Sequence, residues 1–546
     1  MRSGSLLTKP SAWAMPSLAD AQQLLLRHFG YPAFRPAQRD VIRSVLGGTD
    51  VLAVLPTGGG KSVCFQVPAL ALDGFTIVVS PLVSLMQDQV AAARRHGIAA
   101  AGLHSALTSA ERAAVVAGLK ARSLKLLYLS PERLARTAVK LRQSAGTPAL
   151  LAIDEAHCIS EWGHDFRPSY RALRRARYLL GEPQTVALTG SATPAVRDDI
   201  VAALGLAAAG GARRKLAVHV GSFDRPNLWF GAVRVENERD RFERLIELLR
   251  STSGLRLVYA PTRRATERLT AAIRKSGLRT ATYHAGLETA RRSRVLAEFL
   301  ADGLDVVVAT CAFGMGIDKP DVRLVVHWMP PPTPESYYQE AGRAGRDGQP
   351  SRCIVLWHPH DTGIHHRQLD VTFPKPELVE RAWTDAAVAR RLPSAVAESV
   401  ERLRQELRPD LGAVQWAPVK ERRRCAHARL AVIEGYLGAR GCRRGRLLAY
   451  FGERKDRCGS CDECRTVPRS PRLPRPAAAR LARLLAAVGA RQGVWGGPLF
   501  DSETLVRLAI KPPSDAAALA EMAGVGPLLT ERYGATLLAA LRSPAS

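Results

Sequence analysis

The sequence has no apolar run near the roughly 20 residues needed to cross a bilayer, so no membrane-spanning role is expected. Between Met1 and Pro16 it lacks the apolar core and cleavage pattern of a secretory signal; residues 1–20 are expected to be a disordered tail, with Met15 an alternative start. No segment repeats at the period of roughly 20–50 residues that marks solenoids and propellers. Acidic residues are scarce beside basic ones: 50 Asp and Glu against 78 Lys and Arg give a net charge of +28. That excess suits a polyanionic partner, because phosphate contacts release condensed counterions, although a solvated arginine-rich surface gives the same number. Cysteine is thin over most of the chain. Four of the nine are scattered up to Cys353, and five fall between Cys425 and Cys464. Without an export signal, such clustering points to metal ligation and away from disulfides.

What is present is enough for several cores: 546 residues, 46% of them hydrophobic, predict three or four domains. From residue 50, short apolar runs alternate with helical lengths: Asp50–Pro56, Phe75–Ser80, Lys125–Ser130, Leu150–Asp154 and Thr185–Thr189. The alternation restarts with Leu255–Ala260, Arg279–His284, Asp305–Thr310, Val322–Trp328 and Cys353–Trp357. This pattern predicts an α/β chain with two parallel sheets in tandem, each covered by helices on both faces. Open sheets of this kind place ligands beyond the carboxyl ends of their strands.

Leu55-Pro56-Thr57-Gly58-Gly59-Gly60-Lys61-Ser62 follows the first run and opens a helical one. Its glycines free backbone N–H groups to wrap phosphates, Lys61 can reach the terminal phosphates, and the Ser62 hydroxyl can ligate Mg²⁺. The strict pattern has Gly where this chain has Leu55. Leu151-Ala152-Ile153-Asp154-Glu155-Ala156-His157 is an apolar strand ending in two carboxylates. We assign Asp154 to the magnesium shell and Glu155 to the attacking water. Far downstream, Gln339-Glu340-Ala341-Gly342-Arg343-Ala344-Gly345-Arg346 puts two arginines three apart on an expected helix. Arg346 is the better candidate for an arginine finger on the γ-phosphate, with a plain basic helix as the alternative.

Taken together these segments resemble a superfamily 2 helicase, and specifically the RecQ family. Phe29-Gly30-Tyr31-x-x-Phe34-Arg35-x-x-Gln38 is similar to that family's adenine-sensing motif, which implies nucleotide contacts from Tyr31, Arg35 and Gln38. Ser80-Pro81-Leu82 through Gln87-Asp88-Gln89 resembles its first DNA-contacting motif, and Ser222-Phe223-Asp224-Arg225-Pro226-Asn227 its inter-lobe stretch. Tyr283-His284-Ala285-Gly286-Leu287 and Ala309–Pro320, including Asp318, resemble its second-lobe motifs. The hydroxyl-rich Thr189-Gly190-Ser191-Ala192-Thr193 departs from the family's usual Thr-Ala-Thr-Ala. The resemblance implies two RecA-like lobes, ATP and Mg²⁺, and 3′-to-5′ unwinding of DNA in repair and recombination. It also implies single-stranded and duplex DNA as partners, single-strand-binding or recombination proteins as candidate partners, and a cytoplasmic site of action. A related RNA helicase, and a DNA-binding scaffold with a decayed ATPase, are the rival readings.

Trp162, His164, Phe166 and Arg167 lie in a Gly/Pro-bounded stretch directly after the carboxylate pair. They suit base stacking and phosphate contact, and resemble the RecQ aromatic-rich loop; filling of an ordinary core is the alternative. Cys442, Cys458, Cys461 and Cys464 have the spacing of a four-thiolate Zn²⁺ site, with an iron–sulfur cluster as the alternative. Arg443, Arg444 and Arg446 then follow the first ligand on a helix that could face phosphates. The expected organisation is lobe 1 over 21–215 and lobe 2 over 216–372, followed by a helical insertion over 373–424. A zinc module over 425–466, a linker over 467–476 and a helical domain over 477–546 resembling HRDC complete it. Within the insertion, Ala397–Leu407 and Gly412–Pro418 are expected as a recognition-type helix and wing strand of a relocated winged helix. In the tail, Gly524-Val525-Gly526 either presents N–H groups to a phosphate or joins two helices.

Overall fold

The computed structural model describes residues 16–56, 58–104, 107–163, 165–206, 214–314, 319–409, 412–438, 441–464, 475–489, 502–522 and 525–542. Thr57, His164, Asp318, most of the linker and Gly524 lie outside them, as does the expected tail up to Met15. The chain divides into two units, Met1–Phe223 and Asp224–Ser546.

The first unit opens with α1 (Leu18–Phe29) and α2 (Pro36–Leu46). Ser17 and Asp20 form a reciprocal capping box that starts α1. There follow β1 (Asp50–Val54), α3 (Val63–Ala71), β2 (Thr76–Val79), α4 (Val83–Arg95), β3 (Ala100–Leu103), α5 (Ser109–Lys120) and β4 (Leu126–Leu129). Then come α6 (Pro131–Ala145), β5 (Leu150–Ile153), α7 (Leu173–Leu179), β6 (Gln184–Thr189), α8 (Pro194–Leu204) and β7 (Leu216–Val220). The seven strands are all parallel, in the order β3-β4-β2-β5-β6-β1-β7. Right-handed crossovers then require α3 and α4 on one face, beside α1 and α2, and α5 to α8 on the other. The contacts of α3 with α1 and α2, and the chain of contacts from α5 to α8, agree. β1, β2, β4, β5 and β6 are buried at every position, which is why they read as unbroken apolar runs. One boundary is corrected: β7, assigned from sequence to the second lobe, pairs with β1 and completes the first sheet.

The second unit holds β8 (Leu228–Arg234), α9 (Glu238–Arg250), β9 (Leu255–Tyr259), α10 (Arg263–Arg274), β10 (Thr280–Tyr283), α11 (Thr289–Leu300) and β11 (Val306–Ala309). These are followed by β12 (Val322–His327), α12 (Pro334–Ala341) and β13 (Ser351–Trp357), giving a parallel sheet in the order β10-β11-β9-β12-β13-β8. Side chains of α9 and α10 share one core with the sheet, and those of α11 and α12 share the other.

Residues 373–424 do not form a winged helix. Helices α13 (Gly363–Thr372), α14 (Pro376–Thr384), α15 (Ala386–Arg391) and α16 (Ser394–Leu407) lead to α17 (Ala417–Gly438). The expected wing strand is absent: residues 412–416 carry no regular structure, and Ala417 already begins α17. The reason is local. Trp416 stacks on Trp383 at 5.9 Å and donates its indole N–H to Glu380 at 2.6 Å. The segment thereby closes a helical core with Val379, Val400 and Leu403, so no strand partner is needed. α18 (Arg443–Tyr450) lies within the cysteine module, and α19 (Arg475–Leu484), α20 (Ser502–Ile510), α21 (Ala516–Ala520) and α22 (Gly526–Arg542) share a separate core.

Inside the first sheet, Asp50 accepts from Arg177 at 2.7 Å and from the Thr185 N–H at 2.8 Å, while Arg177 Nε reaches Thr185 Oγ1 at 3.0 Å. Removing one partner of such a buried pair costs about 3–5 kcal/mol, because the other charge stays desolvated. Asp50→Ala should therefore lower the opening free energy of β1 and β6 amides by about 3 kcal/mol in native-state hydrogen exchange. Protection equal to that of the parent chain would refute this account of the pair.

Candidate active site and metal centre

The loop after β1 begins with Leu55, whose N–H donates to Thr189 O at 2.9 Å, and ends at Ser62, the residue before α3. Gly58 and Gly60 have φ of +80° and +70°, conformations that favour glycine. A Cβ on Gly60 would lie 2.3 Å from Gln38 Nε2, so the loop also needs glycine for space. The reason for that closeness is α2. Arg35 precedes it and donates to Gly58 O, while Gln38 Nε2 donates to Gly59 O at 3.0 Å and Gly60 O at 3.2 Å. Gln38 Oε1 in turn accepts the Arg35 N–H at 3.0 Å. Thus Gln38 and Arg35 brace the phosphate loop, and Tyr31 stands 57% exposed nearby in the chain.

At the end of β5, Asp154 is 6% exposed and sits among polar groups. Its Oδ2 accepts from Gln89 of α4 at 2.8 Å and its Oδ1 from the Glu155 N–H at 3.0 Å. Burial pushes the Asp154 carboxyl up to about 6 and the Glu155 charge adds to this, while Lys61 and Gln89 pull against both. Glu155 has φ +47°, a left-handed conformation that strains a non-glycine residue and marks a constrained site. The strain turns the chain sharply, so that His157 Nδ1 lies 3.3 Å from Glu155 Oε2 and 2.9 Å from Thr189 Oγ1. Tyr170 closes the site from below, its hydroxyl donating to Asp154 O at 3.2 Å. Gln89, His157, Thr189 and Tyr170 were not among the expected site residues. Their signal in the sequence is position: Gln89 ends the Ser80–Gln89 stretch, His157 stands two residues after the acidic pair, and Thr189 opens the hydroxyl-rich stretch.

Trp162 is 41% exposed, which removes the ordinary-core alternative for that residue, and Phe166 is half-buried. Arg167 is committed within the fold. It pairs with Asp165 at 3.0 Å and donates to Pro81 O at 2.8 Å, tying this loop to the Ser80-Pro81-Leu82 stretch.

In the second unit, Gln339 lies half-buried on α12, but the two arginines do not share a helix. α12 ends at Ala341, and Arg343 and Arg346 stand on the turns that follow, with Gly345 at φ +53°. The register of small residues reads as helix, yet the left-handed glycine ends it. Arg343 donates to Gly314 O and lies by Tyr259, whose hydroxyl donates to Phe313 O at 2.9 Å.

Cys442, Cys458, Cys461 and Cys464 converge, their sulfur atoms all within 4.8 Å of one another. Zinc–sulfur bonds of about 2.3 Å in a tetrahedron need sulfurs about 3.8 Å apart, so the four thiols fit such an ion with little movement. The Gly445 N–H donates to Cys442 Sγ at 3.2 Å and the Ser460 N–H to Cys458 Sγ at 3.4 Å, contacts that favour thiolates. The module is keyed to edge strand β8. Cys461 forms a parallel bridge with Phe230, the Asp462 N–H donates to Phe230 O at 3.1 Å, and Asp462 Oδ2 accepts the Ala232 N–H at 2.9 Å. Arg443 and Arg444 are buried, at 4% and 3% exposure, and so do not form the expected phosphate-facing surface. Arg443 pairs with Asp462 at 3.1 Å, and Arg444 with Asp224 at 3.5 Å; Arg446 alone of the three is exposed.

Comparison with known proteins agrees with this layout. Residues 35–200 match the DEAD/DEAH box helicase family, 240–348 the helicase conserved C-terminal domain, and 398–465 the RecQ zinc-binding family. The last match begins before the module boundary expected at residue 425 and takes in most of α16. The chain is 44% identical over 345 residues to the probable ATP-dependent DNA helicase RecS of Bacillus subtilis, covering 62% of this chain and 67% of that protein. It is 41% identical over 386 residues to the ATP-dependent DNA helicase RecQ of Pasteurella multocida (70% and 59% covered), and 39% over 446 residues to that of Bacillus subtilis (81% and 66%). The chain thus spans between 59% and 67% of these relatives' lengths. Among solved structures, the DUF1998 helicase MrfA bound to DNA shares the fold at a TM-score of 0.52 and 17% identity, covering 71% of this chain and 57% of that one. Two helicase matches, a RecQ zinc-binding match and identity of 44% to a relative of which it covers 67% place the chain in the RecQ family of superfamily 2 helicases.

Proposed function

We propose that the chain is an ATP-dependent DNA helicase that moves 3′ to 5′ on single-stranded DNA and unwinds duplexes in repair and recombination. The observation that carries this reading is the gathering of the Lys61 loop, Asp154 and Glu155 at the carboxyl edge of one parallel sheet, with Gln89 hydrogen-bonded to Asp154. Lys61 neutralises the terminal phosphates, Ser62 and Asp154 hold Mg²⁺, and Glu155 orients the water, with His157 Nδ1 3.3 Å from its carboxylate. The magnesium ion supplies charge neutralisation on the phosphate oxygens. Tyr31, Arg35, Gln38 and Asp318 are proposed to contact the nucleotide, and Arg346, with Gln339 and Arg343, to stabilise the transition state. Trp162, His164, Phe166 and Arg167 are proposed to face DNA. The exposed indole suits stacking, and the Arg167 tie to Pro81 would carry a DNA contact toward α4 and so to Gln89. Zn²⁺ on the four cysteines fixes the module against β8, and α19 to α22 are proposed as an HRDC-like auxiliary nucleic-acid domain.

Strand displacement on duplexes bearing a 3′ or a 5′ single-stranded tail tests the whole reading. Displacement confined to the 3′-tailed duplex is expected, and both it and DNA-stimulated ATPase should fall by at least about 10²-fold in Lys61→Ala and Glu155→Gln. ATPase without displacement would convert the assignment to a translocase that relies on a partner to part strands.

A pH dependence follows from Asp154. Its carboxyl is raised to about 6, so the free protein holds a proton there below that pH, and magnesium binding must expel it. Magnesium-nucleotide affinity should therefore rise with pH up to about 6 and level off above it. A dissociation constant flat from about pH 5 to about pH 8 would refute proton release from Asp154 on magnesium binding.

Cysteine ligation predicts one zinc per chain by elemental mass spectrometry, lost in Cys461→Ser. Loss of metal should also expose the amide of Ala232 to hydrogen exchange, since its N–H donates to Asp462 of the cysteine loop. An iron signal with a visible charge-transfer band would favour the cluster alternative.

A further inference from the structure

The turn that carries Arg343 and Arg346 is held through its backbone carbonyls as well as its side chains. Past the end of α12, the backbone carbonyls of Gly342, Ala344 and Gly345 all point to one guanidinium. Arg225 Nη1 donates to Gly342 O at 3.3 Å, and Nη2 donates to Ala344 O at 3.0 Å and Gly345 O at 2.8 Å. Asn227 Nδ2 adds bonds to Gly345 O at 2.8 Å and Gln349 O at 2.9 Å. The fit leaves no slack: a Cβ on Gly345 would stand 2.5 Å from Asn227 Nδ2. Three carbonyls converging on a fork of N–H donors is a geometry that only arginine satisfies, since a lysine ammonium cannot reach in two directions at once.

The same short stretch is gripped from its other side by the cysteine module. Asp224 accepts from Lys455 and lies 3.5 Å from Arg444, the buried second residue of α18. Arg444 also donates to Leu228 O and, at 3.3 Å, to Pro226 O. Residues 224–228 are therefore a strap with α18 on one flank and the arginine turn on the other.

We propose that Arg225 and Asn227 are positioning residues that set the Arg343–Arg346 turn, and that Asp224, through Arg444 and Lys455, makes their placement depend on the seating of the cysteine module. This rests on the reading of Arg346 as a transition-state group. Arg225 acts by keeping the turn's carbonyls, and hence the arginine side chains beyond them, in one arrangement. Displacement of a charge-stabilising group by about 1 Å costs about 10²-fold in rate, which sets the scale.

The test is steady-state DNA-stimulated ATPase on the full chain, with zinc content and thermal midpoint measured on each preparation. Arg225→Ala should lower kcat by about 10²-fold, leave KM for ATP within about threefold, and keep one zinc per chain. Arg225→Ala combined with Arg346→Ala should be no slower than Arg346→Ala alone, because both changes remove one interaction. Asp224→Ala should show a smaller fall in kcat, again with zinc retained. If Arg225→Ala fails to fold, Asn227→Ala and Arg225→Lys carry the same comparison. Multiplying losses in the double variant, unchanged kcat in Arg225→Ala, or a loss that follows zinc depletion would each overturn the inference. A silent Arg346→Ala would overturn the reading of that arginine and this inference with it. A damaging Arg346→Ala beside a silent Arg225→Ala would overturn the inference alone.

Discussion

A parallel sheet buried on both faces has one place for polar chemistry, the edge where its strands end. β1, β5 and β6 carry apolar side chains through their middles and have no exposed position along their length. Each strand runs in the same direction, so the residues just past Val54, Ile153 and Thr189 are delivered to a common edge. The phosphate loop, the acidic pair and the hydroxyl-rich stretch are consequences of this constraint. Hydrogen-bonding groups at these strand ends are met by backbone and side chains alike, as in the Leu55 N–H with Thr189 O and Asp154 with Gln89 of α4.

The same edge concentrates unfavourable terms. Asp154 is desolvated beside a second carboxylate, and Glu155 sits in left-handed backbone space. Neither arrangement would persist without a surrounding structure that over-determines it. The His157–Thr189 contact and the Tyr170 hydroxyl supply that support, the first of them joining the end of β6 to the residues past β5. Burial that raises the Asp154 carboxyl also strengthens its attraction to a cation, because screening by water is removed. On the proposed assignment, a site unfavourable when considered alone becomes favourable to a magnesium–phosphate pair.

The strands that sequence reading placed are those rich in apolar or β-branched residues: β1, β2, β4, β5, β6 and β9 to β13. The ones it missed lie at sheet edges. β3 is Ala-Ala-Gly-Leu, with little β-branched character, and β7 alternates exposed and half-buried positions. β8, Leu-Trp-Phe-Gly-Ala-Val-Arg, contains a glycine, pairs with β13 on one side, and has its outer edge covered by a cysteine loop more than two hundred residues away. Local pattern carries no trace of such a partner. The phosphate loop, the acidic pair and the cysteine set were legible because each is a short motif whose spacing alone fixes the chemistry. Gln89, Arg225 and Asn227 were not, since their meaning depends on carbonyls and carboxylates brought near only by the fold. Arg443 and Arg444 misled for a related reason. A basic helix in a basic chain looks solvated until its acidic partners, Asp462 and Asp224, are seen to bury it.

The cysteine module illustrates why a metal is used at that point in the fold. An open sheet edge offers unpaired N–H and C=O groups, a hazard that proteins cover by helix, loop or charge. Here the cover is a loop of small and polar residues around Cys458, Cys461 and Cys464, too short and too polar to hold itself in place by apolar burial. Four thiolates on one ion supply a rigid node without needing a core. The node then allows Asp462 to be spent on the Ala232 N–H and on Arg443, a buried charge pair that would be unfavourable on a mobile loop. Ile433, Tyr436 and Leu437 of α17 join the same core as Phe230 and Tyr337, so the ion, the sheet edge and α12 are parts of one packed unit. A single structural ion thereby fixes the helix that leads into the arginine turn, through contacts that contain no nucleotide and no catalytic group.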